Sequence, residues 1–198
     1  MMTAPAASSS VLLHCCCAPC AGAVIERLVS GGRRPVVFFS NSNIVPREEY
    51  ELRKAELIRY CVLFGLQVVD DDYDHGAWLD FGGIRALGRE RERGARCTQC
   101  FRFRLLRAAR YGAEHGIGVL ATTLASSRWK DIAQVNEAGQ WACAQVPGGP
   151  RFWAENWRKG GLQPRRNEII REQSFYNQTY CGCEFAMRKS PEGNSLPE

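Results

Sequence analysis

The sequence lacks a hydrophobic run long enough to cross a membrane, which argues against an integral membrane protein. Its first ten residues lack the positively charged segment that opens a secretory signal peptide, and we expect residues 1–10 to form a flexible tail. A strong charge of either sign is also lacking, because the formal net charge is only +5. That excess is compatible with a polyanionic partner such as RNA, but it is too small to identify one.

Cysteine, in contrast, is abundant, with 10 among 198 residues. Secreted disulfide scaffolds spread their cysteines to link distant loops, whereas these cysteines are clustered. The clusters are Cys15 to Cys17 with Cys20, the pair Cys97 and Cys100, and the pair Cys181 and Cys183. Tight clusters suit metal binding or thiol redox chemistry in a reducing compartment, so we expect a cytoplasmic protein.

Short β-rich runs alternate with helical runs along most of the chain. Strands are predicted at 11–13, 35–39, 66–69 and 119–124, and helices at 18–28, 46–64, 97–115 and 132–144. This alternation predicts a doubly wound α/β fold, with a parallel sheet flanked by helices. We expect one α/β catalytic domain over 11–187 and a second flexible tail at 188–198. After Pro150 the composition becomes aromatic and basic, and we predict that 150–187 forms a helical C-terminal extension.

Polar loops follow the predicted strands at 15–20, 40–43, 70–74 and 126–130. Ligands of open α/β sheets lie beyond the carboxyl ends of the strands. We therefore expect these loops to share one edge of the sheet, where the cysteines of the first loop would meet residues from distant parts of the chain.

Four of the clustered thiols, Cys16, Cys17, Cys97 and Cys100, would supply a complete ligand set for an iron–sulfur cluster, and zinc accepts the same set. Cys17 and Cys20 would also pair with Cys97 and Cys100 as two zinc knuckles, although these pairs are farther apart than in zinc ribbons. A thioredoxin-like pair formed by Cys17 and Cys20 is a third alternative. The residues alone leave all three open.

The segment Cys181-Gly182-Cys183 differs from the other clusters, because a glycine between two cysteines permits the strained turn of a labile disulfide. A redox-active disulfide, two further metal ligands and two buried thiols are the alternatives here. The arginines between 102 and 110, together with the aromatic and basic segment, would either track an RNA backbone or form the solvated faces of core helices.

Five sequence blocks, taken together and in order, are typical of one protein family. They lie at 12–20, 41–44, 96–100, 122–124 and 180–183, and read LLHxCCAPC, NxNI, RCxxC, TTL and YCGC. In this order they resemble the cobalamin-independent epoxyqueuosine reductases of the QueH type. The resemblance extends over about 11–187. The chain departs from the family pattern at Ser42, where proline is common, and at Asn177.

The resemblance implies a HUP-type, Rossmann-like fold and an enzyme that reduces epoxyqueuosine to queuosine at the wobble position of tRNA anticodons. It also implies a [4Fe-4S] cluster held by four cysteines, a redox-active disulfide between Cys181 and Cys183, and an external electron donor. The four implied cluster ligands are Cys16, Cys17, Cys97 and Cys100.

The resemblance further implies that Cys20 is a ligand to a second, mononuclear metal, which would be iron. We expect the loops at 40–43 and 126–130 to shape a base pocket. The candidate substrate-binding residues are Asn41, Asn43, Lys130 and Arg158. Two functions of other classes remain alternatives: a non-catalytic, zinc-stabilised RNA-binding module, and a metal-free thiol–disulfide oxidoreductase.

Overall fold

The structure, a computed structural model, describes residues 5–6, 9–88 and 90–187. The predicted C-terminal tail lies wholly outside these ranges, and so do residues 1–4, 7 and 8 of the predicted N-terminal tail.

Five parallel strands form one sheet in the order β3-β2-β1-β4-β5. They are β1 (Val11–His14), β2 (Val36–Phe39), β3 (Val68–Asp70), β4 (Val119–Thr122) and β5 (Arg151–Phe152). The central strand β1 is buried throughout, and its Leu13 pairs with Val37 on one side and Ala121 on the other. The predicted parallel α/β fold is confirmed, and its topology is Rossmann-like. The order in which strands are added to the sheet reverses between β1 and β4, and folds of this kind bind ligands at that point.

The described part of the chain also contains seven α-helices. They are α1 (Ala18–Ser30), α2 (Arg47–Val62), α3 (His75–Asp80), α4 (Ile84–Leu87), α5 (Ala95–Glu114), α6 (Ile132–Ala144) and α7 (Leu162–Glu172). Side-chain caps fix two of the starts, since Asp74 accepts from Ala77 N–H before α3 and Asp131 accepts from Ala133 N–H before α6. None of these helices combines the length and the apolar character that a membrane crossing needs.

Beyond small shifts in the bounds of strands and helices, the structure differs from the sequence-based expectation in two places. The strand β5 was not predicted, because it has only two residues in a segment that reads as aromatic and basic. Its Phe152 packs so closely over α6 that a Cβ on Gly139 would lie 2.2 Å from the ring. The C-terminal helix is present, but it covers Leu162–Glu172 rather than most of 150–187. It begins only after Gly160 and Gly161, whose positive φ angles of +63° and +80° interrupt a continuous helix.

Candidate thiol site at the carboxyl edge of the sheet

The turn between β1 and α1 brings three thiols together. Cys17 is the N-cap residue of α1, Cys20 lies in the first turn of that helix, and Cys16 precedes them both. The sulfur atoms of these three residues all lie within 4.8 Å of one another, and those of Cys16 and Cys17 are 3.8 Å apart. The Cys16 N–H donates to Thr123 Oγ1 at 3.2 Å, which ties the turn to the end of β4. The N-terminus of α1 favours negative charge on these sulfurs.

The three thiols do not ionise independently. Hydrogen bonds from the thiols of Cys17 and Cys20 hold the pKa of Cys16 well below its usual range. The same interaction with Cys16 raises the pKa of Cys17, and it raises the pKa of Cys20 to about 11. A thiolate at Cys16 is therefore stabilised by the thiols of its two neighbours. A bound thiophilic cation would stabilise all three as thiolates, so the donor set fits zinc or iron.

The two remaining predicted cluster ligands lie in the first turns of α5. The Cys97 sulfur accepts from the Arg93 N–H at 3.4 Å, and Cys100 is buried in an apolar cluster with Trp78 and Cys183. Burial raises the pKa of both thiols, and Cys181 is close enough to raise it further. The structure thus brings Cys97 and Cys100 towards Cys181. It does not include them in the close group that Cys16 forms with its two neighbours.

The Cys181-Gly182-Cys183 segment adopts a turn that only glycine fits. Gly182 has a φ of +127°, and a Cβ there would lie 2.9 Å from Ile44 Cγ1. The buried Arg53 of α2 donates to the carbonyl oxygens of Cys181 at 3.1 Å and Tyr180 at 3.2 Å. Both cysteines are free thiols, and burial raises the pKa of Cys183 to about 12. The turn therefore presents Cys181 to the site and keeps Cys183 inside.

The ammonium group of a lysine contacts Cys181. Lys130 Nζ lies 3.3 Å from the Cys181 sulfur. Burial lowers the pKa of Lys130, but the nearby sulfurs of Cys181, Cys16 and Cys20 outweigh that effect and raise it. Arg158 contacts the backbone of Lys130, because its Nη2 donates to the Lys130 carbonyl oxygen at 2.6 Å. Of these two predicted substrate-binding residues, Lys130 faces the thiols and Arg158 holds the loop that carries it.

A cavity of about 610 Å³ lies between the cysteine turn, Lys130 and Cys181. Its lining includes the thiols of Cys16, Cys20 and Cys181 and three of the predicted substrate-binding residues, Asn41, Asn43 and Lys130. Among the residues that the structure describes, five cationic side chains and one carboxylate, that of Glu92, line this cavity. The cationic residues are Arg53, Arg104, Arg128, Lys130 and Arg166. The cavity is therefore suited to an anionic ligand.

Two arginines predicted as candidates for RNA contact have internal partners instead. Arg104 is buried and donates to the Ser40 carbonyl oxygen at 3.1 Å and to the Asn41 amide oxygen. Asn41 in turn donates to the Cys15 carbonyl oxygen at 2.9 Å, which connects Arg104 to the cysteine turn. Arg107 forms a two-point ion pair with Asp71. The α5 arginines therefore do not form one continuous face for RNA.

Sequence reasoning missed three residues of the site. Arg53 reads in the sequence as the partner of Glu49 one helical turn away, and nothing in that pattern indicates its bonds to the Cys181 turn. Gln178 donates to the Cys17 sulfur at 3.1 Å from a segment without regular structure. Trp129 is exposed at the cavity rim, and its position in a short polar loop was the one available signal.

The sheet topology and the thiol-lined cavity at the switch point define the class as Rossmann-like α/β enzymes with a thiol-based site. Residues 11–189 match the family described as "Epoxyqueuosine reductase QueH". A protein of that name from Haemophilus influenzae is 43% identical over 173 residues, which cover 86% of this chain and 69% of the relative.

Proteins of the same name with lower sequence identity also match this chain. The one from Acinetobacter baylyi is 41% identical over 85% of this chain and 76% of its own. The one from Thermotoga maritima is 30% identical over 78% of this chain and 80% of its own. The chain belongs to the QueH family of epoxyqueuosine reductases, and it is an oxidoreductase.

Proposed function

We propose that this chain reduces the epoxide of epoxyqueuosine in tRNA to the alkene of queuosine, using a thiol-bound [4Fe-4S] cluster and the Cys181–Cys183 dithiol. The observation that carries the proposal is that the cysteine turn, Cys181 and Lys130 line the same cationic cavity. A cytoplasmic location, consistent with the clustered thiols, is part of the proposal.

The cluster would be held by Cys16, Cys17, Cys97 and Cys100, with Cys20 available as a ligand to a second metal ion. The closely spaced sulfur donors of the cysteine turn fit such a group. When bound, it supplies electrons at low potential and a Lewis acid for an oxygen atom.

The protein's own residues bind and orient the substrate. The modified base enters the cavity away from its neighbours, because an anticodon base in a stack does not expose its substituents to an enclosed site. Asn43 presents its amide to the cavity, and Arg104 holds the Asn41 amide in a fixed orientation. The cationic lining attracts the phosphates on either side of the base.

The reaction requires two electrons and two protons. The epoxide loses its oxygen as water and becomes an alkene, while two thiols lose two hydrogen atoms and become a disulfide. We assign these thiols to Cys181 and Cys183, with an external two-electron reductant restoring them. Lys130 Nζ, 3.3 Å from the Cys181 sulfur, would deliver a proton to the departing oxygen.

The ligand assignment is tested by metal analysis of protein purified without oxygen. C16S and C97S should lose the iron and the visible absorbance, because each removes one of four thiolates. C143S is the matched control, since Cys143 lies on α6 away from the cavity. Full iron content in C97S would refute the assignment.

A zinc-stabilised RNA-binding module is the second candidate, and one observation favours it. The three sulfurs of the cysteine turn are close enough to bind a single ion, because sulfurs around tetrahedral zinc are about 3.8 Å apart, given Zn–S bonds of about 2.3 Å. This candidate predicts colourless protein that contains zinc, loses it in C20S and retains it in C97S. It also predicts that tRNA binds but is not reduced.

The role of the dithiol is tested separately from that of the metal. C181S should retain the iron and lose turnover of epoxyqueuosine-containing tRNA, and C143S should retain both. Full turnover by C181S, with a chemical reductant and with a protein donor alike, would exclude the dithiol from the reaction.

A further inference from the structure

Trp129 is an exposed indole at the rim of the thiol-lined cavity. Its side chain is 64% exposed, whereas the side chains of Trp78, Trp153 and Trp157 are buried. The only other exposed aromatic residue among those described is Tyr176, at 36%. Exposing so much apolar surface is unfavourable, so its place at the mouth of a site points to an interaction.

The loop that carries Trp129 is fixed in position. Arg93 Nε donates to the Trp129 carbonyl oxygen at 3.0 Å, and the Trp129 N–H donates to Ser127 Oγ at 3.4 Å. Arg158 holds the next carbonyl oxygen, that of Lys130, at 2.6 Å. The indole is therefore exposed on a backbone with several anchors, and it loses little conformational freedom when a partner binds.

An arginine lies over the indole and sets the chemistry of its partner. The guanidinium carbon of Arg128 is 4.8 Å from the centre of the Trp129 ring, a cation–π arrangement. The adjoining cavity is also cationic, with Arg104 and Arg166 in its wall. A flat aromatic surface beside positive charge matches a nucleotide, which combines a planar base with an anionic phosphate.

We propose that Trp129, supported by Arg128, is a stacking platform for a base next to the reacting nucleotide of the RNA substrate. The proposal rests on the proposed function in one respect, namely that the substrate is tRNA. When the reacting base enters the cavity, its neighbour loses a stacking partner. An indole at the cavity mouth replaces that partner, and stacking of this kind does not depend on which base it is.

The test measures binding of anticodon stem-loop RNA to the full-length protein, with the wobble nucleotide in place and the adjacent base either present or removed to leave an abasic site. W129A should bind the intact loop about tenfold more weakly, and W129F should retain most of the affinity. Removing the adjacent base should weaken binding to the wild type by a similar factor and have no further effect in W129A. L63A is the matched control, because Leu63 is 61% exposed at the end of α2 and has no part in the site.

Equal affinities of W129A and the wild type for the intact loop would overturn the proposal. So would unchanged RNA binding in W129A with slower reduction by a protein electron donor but not by dithionite, since Trp129 would then bind the donor. Reductase activity of the wild type is measured in parallel. RNA binding that depends on Trp129, without epoxide reduction, would support the platform and reject the proposed function.

Discussion

Replacing Gly182 by alanine tests whether the Cys181-Gly182-Cys183 turn is built to present Cys181. With a φ of +127°, Gly182 has a backbone conformation that costs another residue about 1–3 kcal/mol. The new Cβ would also lie 2.9 Å from Ile44 Cγ1 and 3.2 Å from Arg53 Nη1, and relieving that crowding costs about 1 kcal/mol more. Local opening of the turn should therefore become easier by about 2–4 kcal/mol.

The assay is the alkylation rate of Cys183, a thiol that is buried when the turn is closed. Since each 1.4 kcal/mol is a factor of about ten, G182A should react roughly 30- to 700-fold faster than the wild type. Cys181 should also move away from Lys130, so turnover should fall while the iron content stays unchanged.

The matched control is G148A. Gly148 also has a positive φ, at +67°, but a Cβ there meets no atom within 4 Å. The G148A variant should be about 1 kcal/mol less stable overall than the wild type, and its Cys183 should be alkylated at the wild-type rate. A Cys183 rate in G182A that stays within about threefold of the wild type would refute the reasoning, because the turn would then accept a side chain without opening.

Three other changes have defined outcomes. R53M should lower the free energy of unfolding in urea by about 3–5 kcal/mol, because it leaves the Glu49 carboxylate buried without its cationic partner. The double variant R53M/E49Q should recover much of that loss. K130M should lower the turnover of epoxyqueuosine-containing tRNA by about 100-fold, because it removes the ammonium group that would donate a proton beside Cys181, and equal turnover by K130M and the wild type would contradict that role. The loss in free energy of unfolding that H75Q causes should depend on pH. The hydrogen bond that His75 Nε2 donates to the Glu184 carboxylate raises the pKa of His75, so the wild type is more stable than H75Q by about 1 kcal/mol below about pH 6.5, and this difference disappears as the pH rises through the raised pKa. An advantage that is independent of pH would contradict this.

The sheet was predictable because its strands carry a local signal. Runs such as 11–13 and 35–39 are short, apolar and bounded by polar loops, and parallel strands with helical connections leave few other topologies. The end of β4 was placed two residues late, since Thr122 accepts from the Leu124 N–H and begins a 3-10 turn that no apolar pattern indicates. The strand β5 has two residues, too few for any periodicity.

The site was only partly predictable, because its assembly depends on contacts between distant segments. The clustered thiols are visible in the sequence, and three of them, Cys16, Cys20 and Cys181, do line one cavity. The bonds from Arg53 to the Cys181 turn join residues more than a hundred positions apart and have no local signature. Arg104 reads as a surface cation in a basic run, and only the packing of α5 shows that it is buried against Asn41.

The most direct test of the account is anaerobic incubation of the iron-loaded protein with epoxyqueuosine-containing tRNA and dithionite, followed by nucleoside analysis. The account predicts that epoxyqueuosine disappears and queuosine appears in equal amount, with C97S, which lacks the cluster, leaving the epoxide intact. Unchanged epoxyqueuosine with the iron-loaded wild type, or equal conversion by C97S, would contradict it.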